Sequence, residues 1–261
     1  MEGTNTSQGL PVDESRRRLL QGIILLAGLS VTVGLLRGLE FLMPPIESIS
    51  EFPKLLLVDE NGNPIKASDI PVNAQPKIAM FNYPLSNEPV FLLNLGDENN
   101  NPVAVPPVKV TVPQTGATYT FPGGVGPHKS IVAYSAICQH AGCTFPEMTF
   151  YPPGRKAITI KGPMDRVLHC NCHGSTYDPY KGGAVITGPA VAPLPAVILQ
   201  WDPSTDQLYA VGMIGPVVFG HPGFTNPTQE VVNNPVGDLQ GGTPIKGTQT
   251  VVNFYQNPAL G

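Results

Sequence analysis

From about residue 46 onward, apolar residues come in short β-branched and aromatic runs, each closed by Asn, Asp, Gly or Pro. Such runs predict strands at residues 55–58, 78–81, 91–95, 108–112, 118–121, 131–137, 157–160, 167–170, 197–201 and 207–213. Asp59-Glu60-Asn61-Gly62-Asn63-Pro64 follows the first as a turn, and Asn99-Asn100-Asn101-Pro102 repeats the idea after the third. Asp202-Pro203-Ser204-Thr205-Asp206 joins the last two as a hairpin. No amphipathic helix of two turns stands out, so the expected fold class is all-β, an antiparallel sandwich or barrel-like domain.

The N-terminal pattern is of another kind. Residues 19–36 carry no charge, and their only polar side chains are Gln21, Ser30 and Thr32. As a helix this run rises about 27 Å, close to the roughly 30 Å hydrocarbon core of a bilayer. Arg16, Arg17 and Arg18 precede it, whereas Arg37 after it is balanced by Glu40, which predicts a cytoplasmic N-terminus and an exported domain. Ser15-Arg16-Arg17-Arg18-Leu19-Leu20 also resembles a twin-arginine export signal, although the arginines alone serve equally as a positive-inside marker. No small-residue cleavage site follows, so the segment is expected to remain as an anchor. The expected organisation is a cytoplasmic tail at 1–18, one transmembrane helix at 19–43, a linker at 44–53, a β domain at 54–214 and an extension at 215–261. That extension is rich in Gly, Pro, Asn and Thr; its apolar pairs Val251-Val252 and Phe254-Tyr255 favour partial docking over a free tail.

Composition narrows the function classes. With 28 Gly and 30 Pro, helical bundles and coiled coils are excluded. A net charge of −4 leaves no basic footprint for nucleic acid. Four cysteines are too few for a disulfide-built scaffold.

Those four cysteines nevertheless fall in two tight clusters, Cys138-Gln139-His140-Ala141-Gly142-Cys143 and Cys170-Asn171-Cys172-His173-Gly174-Ser175. Thiolates and imidazoles are ligands for zinc, copper and iron–sulfur clusters, so a metal site is the expectation. A zinc ion could use one Cys-His pair from each cluster, leaving Cys143 and Cys172 without a role.

The two boxes, C-x-H-x-G-C and C-x-C-H-G-S-x-Y, resemble those of Rieske iron–sulfur proteins, specifically the disulfide-bearing kind in cytochrome bc-type quinol-oxidising complexes. The resemblance spans about residues 130–213 and takes in Gly188-Pro189-Ala190, which resembles the family's proline loop. It implies a Rieske-type sandwich with a cluster-binding part at about 130–195. It also implies one [2Fe–2S] cluster, held by Cys138 and Cys170 on the inner iron and by His140 and His173 on the outer. Cys143 and Cys172 would form the bridge between the loops, which accounts for every cysteine. Ser175 and Tyr177 occupy positions whose hydroxyls would hydrogen-bond cluster sulfurs and raise the potential. His173 would be the histidine that meets quinol, with His140 beside it. The implied partners are a quinol, a cytochrome b-like membrane subunit, a cytochrome electron acceptor and membrane lipid.

Some positions depart from that pattern. The 26 residues between Cys143 and Cys170 form a long spacer, with an insertion marked by Pro152-Pro153-Gly154-Arg155-Lys156, and Ala141 stands where many relatives carry Leu. His169 is expected to be structural or solvent-facing, His128 and His221 to be surface residues, and Met148, Met164 and Trp201 to be packing residues. The competing readings are an exported Rieske subunit of a molybdenum oxidoreductase of the arsenite-oxidase kind, and a zinc-binding or adhesion module. The charged fraction of 13% leaves few ion pairs to lose on acidification. That fits a domain working in acid as well as it fits an ordinary exported one.

Overall fold

Asp59 and Asp97 begin two loops of the same construction, and these show how the sequence shapes its turns. Asp59 Oδ1 accepts the backbone N–H of Asn61 and Asn63 at 2.9 and 2.8 Å, and Oδ2 accepts from Asn63 Nδ2 at 3.0 Å. Asp97 makes the same bonds to Asn99 and Asn101 at 2.9, 2.8 and 3.0 Å. Each loop needs one residue at positive φ, supplied by Gly62 at 83° and by Asn100 at 61°.

The computed structural model describes residues 49–216 and 243–261. The expected tail, the anchor at 19–43 and most of the extension, including His221, lie outside them. Among the described residues no helix is long and apolar enough to cross a membrane. Sixteen strands and three single turns of 3-10 helix account for their regular structure, an all-β fold.

Strands β1 (Ile49–Val58), β2 (Lys77–Asn82), β3 (Pro89–Asn94), β4 (Val108–Thr111), β5 (Thr118–Phe121) and β6 (Ile131–Ser135) coincide with predicted runs. β1 begins inside the stretch expected as linker. The cluster of strands that follows is β7 (Met148–Tyr151), β8 (Ala157–Thr159), β9 (Gly162–Met164), β10 (Val167–Cys170), β11 (Thr176–Asp178) and β12 (Ala184–Thr187). The last four are β13 (Ala196–Asp202), β14 (Gln207–Ile214), β15 (Gln249–Val251) and β16 (Asn253–Gln256).

Eight strands form one sheet in the order β15-β1-β14-β13-β6-β3-β2-β16. β15 and β16 sit at its opposite ends, yet only Val252 separates them in sequence. The end of the extension therefore bridges the two edges, and the sheet curls around a closed interior. Leu57 of β1, Phe81 of β2, Leu92 of β3, Val197 of β13 and Val252 meet in that core. The opposite faces of β2, β3 and β6 bury Met80, Phe91 and Tyr134 in a second core. Covered on both faces, these strands read as continuous apolar runs rather than alternating ones. The sheet is not wholly antiparallel as expected, because β15 lies parallel to β1.

β6 and β13 are neighbours in this sheet, with Tyr134 opposite Ala196. The chain between them leaves the sheet and builds a separate four-stranded one, β12-β11-β10-β7. Phe150, Leu168 and Tyr177 from the smaller sheet enter the second core, which welds the two sheets together. Its far side is pinned by Asn257 after β16. Asn257 donates Nδ2 to the carbonyls of Ala74 and Phe150 at 3.3 and 3.2 Å.

Candidate metal centre

Both Cys/His boxes fold into the same loop. In the first, Cys138 N–H donates to Cys143 O at 2.8 Å and Gly142 N–H returns to Cys138 O at 2.9 Å. In the second, Cys170 N–H donates to Ser175 O and Gly174 N–H returns to Cys170 O, both at 2.9 Å. The glycine five residues into each loop takes a left-handed backbone, with φ of 78° at Gly142 and 83° at Gly174. Identical hydrogen bonding at the two boxes gives them near-equivalent backbones facing one another. β6 leads into the first box, and β10 and β11 flank the second.

The loops bring the expected residues together. Cys138 and Cys170 are both 1% exposed and are free thiols. His140 and His173 have ring centroids 4.9 Å apart with planes at 81°. His140 is half-buried, whereas His173 is exposed. Cys143 and Cys172 form a disulfide that ties one loop to the other across a Cα–Cα distance of 6.8 Å. The Cys170 sulfur lies within 4.8 Å of both bridge sulfurs, which are spent on each other.

The polar groups around the thiols are donors. Tyr177, fully buried, places its hydroxyl 3.3 Å from Cys138 Sγ and accepts the backbone N–H of Gln139 at 3.0 Å. The Cys170 thiol, the Tyr177 hydroxyl and the backbone N–H of His140 pull the Cys138 thiol well down against the effect of burial. Cys170, left holding the proton beside that charge, is pushed up. Burial, then the Cys138 charge, raises the Tyr177 hydroxyl well above its usual range, so it stays a neutral donor.

Two buried atoms at the site have no hydrogen-bond partner, His140 Nδ1 and Ser175 Oγ. Unpaired buried polar atoms are costly and rare in folded chains. One is a ring nitrogen able to ligate a metal, and the other a hydroxyl able to donate to a sulfide. Together with two buried thiols, the donor set fits a sulfur-bridged iron pair with mixed Cys and His ligation.

Gly188 brings the loop of Gly188-Pro189-Ala190 against the second box. A Cβ there would collide with the Gly174 carbonyl oxygen and come within 2.6 Å of Ser175 Cα. His169 points away from the site: it is 3% exposed, with Nδ1 2.9 Å from Thr176 Oγ1 and its ring edge-on to Tyr151. It is structural and not solvent-facing. His128 is exposed and Met148 fully buried. Trp201 is half-buried with Nε1 donating to Asp206 at 2.8 Å.

The sequence reading missed the C-terminal support of this site. Tyr255 of β16 packs its ring 5.5 Å from that of Phe145, two residues beyond the bridge cysteine Cys143. The one signal of it was the apolar pair Phe254-Tyr255.

The Rieske [2Fe-2S] domain family matches residues 96–198 of this chain. The cytochrome b6-f complex iron-sulfur subunit 2 of Trichormus variabilis is 30% identical over 189 residues, which cover 71% of this chain and 79% of that protein. The iodate reductase subunit IdrB of Denitromonas iodatirespirans is 34% identical over 99 residues, 38% of this chain and 46% of that one. Among solved structures, the soluble domain of the Rieske protein II from Sulfolobus acidocaldarius is 30% identical. It covers 69% of this chain and 84% of its own, with a TM-score of 0.41.

Proposed function

The chain belongs to the Rieske [2Fe–2S] iron–sulfur family, and from that premise we propose that it is the membrane-anchored subunit that takes electrons from quinol and passes them to a cytochrome. The [2Fe–2S] cluster of this family supplies one-electron redox chemistry when bound. In this reading the buried Cys138 and Cys170 would hold one iron, and His140 and His173 the other. The observation that carries the reading is the Tyr177 hydroxyl at 3.3 Å from Cys138 Sγ. A donor aimed at a ligand sulfur favours the more negative, reduced state, which an acceptor of quinol electrons requires.

The remaining roles belong to the chain's own residues. His140 turns Nδ1 inward, which leaves Nε2 to carry a proton. His173 is the exposed imidazole, so it is the one placed to accept the proton of a quinol hydroxyl. The Cys143–Cys172 bridge fixes the two histidine loops relative to each other, and the Gly188 loop packs on the second box at Gly174 and Ser175. The segment at 19–43 tethers the domain to the membrane, on its outer face, beside a cytochrome b-like subunit.

A second reading, an electron-transfer subunit of a reductase, draws on the likeness to the iodate reductase subunit over 99 residues. One experiment separates the two. Membranes holding the full chain are given a quinol, and the reduced-cluster EPR signal is followed against the signal that dithionite gives in the same membranes. Quinol-dependent reduction that approaches the dithionite level is the expected result. Absence of reduction by any quinol, with the cluster intact, overturns the quinol reading.

A further inference from the structure

Strands β8 and β9 turn the usual amphipathic order inside out. They form a two-stranded ribbon of their own, with Ile158 opposite Pro163 and Thr159 opposite Gly162. Alternation along β8 buries Ala157 and Thr159 and turns Ile158 outward. Ile158 and Ile160 are each 77% exposed; the other exposed large apolar side chains among the described residues, Val251 and Tyr255, reach 42% and 45%.

The ribbon is firmly built. Thr159 Oγ1 donates to Gly162 O at 2.7 Å and accepts from Lys161 N at 3.1 Å, which closes the turn. Gly154 N–H donates to Asp165 Oδ2 at 2.8 Å at the base. Lys161 Nζ donates to Ile186 O at 3.0 Å, two residues before Gly188 and its loop on the second box. The turn of the ribbon therefore reaches the strand that leads into the Gly188 loop.

Its charge is of one sign. Lys156 and Lys161 flank the isoleucines and are exposed, and no acidic residue occurs from Met148 to Met164, in a chain of net charge −4. Arg155 lines a separate groove with Pro76 and Leu260. The nearest acid in sequence, Asp165, is engaged by Gly154.

We propose that this ribbon is a membrane contact: Ile158 and Ile160 enter the interface of a bilayer while Lys156 and Lys161 meet anionic headgroups. Isolated apolar side chains framed by cations suit a lipid interface, whereas a protein socket requires a broad complementary face that the ribbon lacks. The inference rests on the reading that the domain works at a membrane. It adds that the β domain itself touches the bilayer and holds the edge of the second box towards it.

The test uses the full chain with Ile160→Trp, reconstituted into vesicles of phosphatidylcholine and phosphatidylglycerol whose acyl chains are brominated or plain. The parent chain, with Trp201 alone, gives the baseline. Brominated chains should remove most of the added emission, and less of it in vesicles without phosphatidylglycerol. Lys156→Glu in the same background should weaken insertion by fivefold or more, at roughly fivefold per lysine charge. Equal emission in brominated and plain vesicles overturns the proposal. So does a shift that grows with protein concentration in the absence of lipid, which marks a second copy as the occupant. Reduction by quinol, read on the same vesicles, reports separately on the functional reading. Intact reduction without quenching removes the lipid contact alone, and quenching without reduction leaves the contact standing.

Discussion

The Tyr177 hydroxyl bridges the two boxes, lying 3.3 Å from Cys138 Sγ in the first while its own strand, β11, leaves the second. It accepts Gln139 N–H at 3.0 Å, which orients its proton towards the sulfur. Removing it should cost the reduced state more than the oxidised one. A net hydrogen bond of about 1 kcal/mol corresponds to roughly 40 mV for one electron. Tyr177→Phe should therefore lower the midpoint potential by about that amount or more, with the visible and EPR spectra of the cluster retained. An unmoved potential would reduce Tyr177 to a packing residue. Ser175→Ala should act in the same direction, because its buried hydroxyl finds no partner among protein atoms.

The Cys143–Cys172 bridge spans 29 residues of sequence. Closing a loop of that size stabilises the folded state by roughly 3–4 kcal/mol through the unfolded chain. Cys143→Ser with Cys172→Ser should lower the thermal midpoint and loosen the second box, so that the protein loses its colour faster in chelator. Equal rates of bleaching in variant and parent would show that the loops hold the centre without their clamp.

Asn257 follows β16 at 1% exposure and joins three parts of the domain. Its amide nitrogen serves Ala74 O and Phe150 O, and its oxygen accepts from Thr149 Oγ1 at 3.4 Å and Ala259 N at 3.1 Å. Asn257→Ala strands two buried carbonyls and should cost about 2–4 kcal/mol. Hydrogen exchange should accelerate first in Asn253–Gln256 and Met148–Tyr151. Protection unchanged in both strands would show that the end of the chain is dispensable.

The boxes were legible because a metal centre of this type draws its ligands from a few residues on each of two loops. Chemistry and spacing coincide there. All ten predicted strands are present for a related reason, since β2, β3 and β6 are apolar enough to identify themselves. β9 and β11 are different: Gly162-Pro163-Met164 and Thr176-Tyr177-Asp178 have no strand pattern and exist because a neighbour pairs with them. Nor could periodicity show that Gln249 lies beside Leu56 and Phe254 beside Ala79. Closure of the sheet by the last residues is a long-range event, written in no local window. The twin glycines Gly142 and Gly174 were visible as letters, but their shared left-handed geometry was not.

The pH dependence of stability should turn on Glu88, a carboxyl 1% exposed that burial pushes up to about 8 from 4.5. Between those values the folded chain keeps a proton that the unfolded chain has released. Stability therefore falls as pH rises through that window and returns on acidification. The full effect is on the order of 5 kcal/mol, which for a domain of this size moves the thermal midpoint by roughly 10 °C or more. Other groups set the acid limit. Hydrogen bonds from Asn63, Asn101 and Ser204 hold the carboxyls of Asp59, Asp97 and Asp202 below the usual 3.8, so their contribution is present above that value and lost as pH falls below it. His169, held by burial below 6.5, also opposes folding as acid charges it in the unfolded chain. Comparison with Glu88→Gln isolates the carboxyl from these. The wild type should melt higher near pH 5 than near pH 8, and the variant should lose most of that difference. A wild type that melts at least as high near pH 8, with Glu88→Gln following the same curve, would place the Glu88 carboxylate in a site that tolerates its charge.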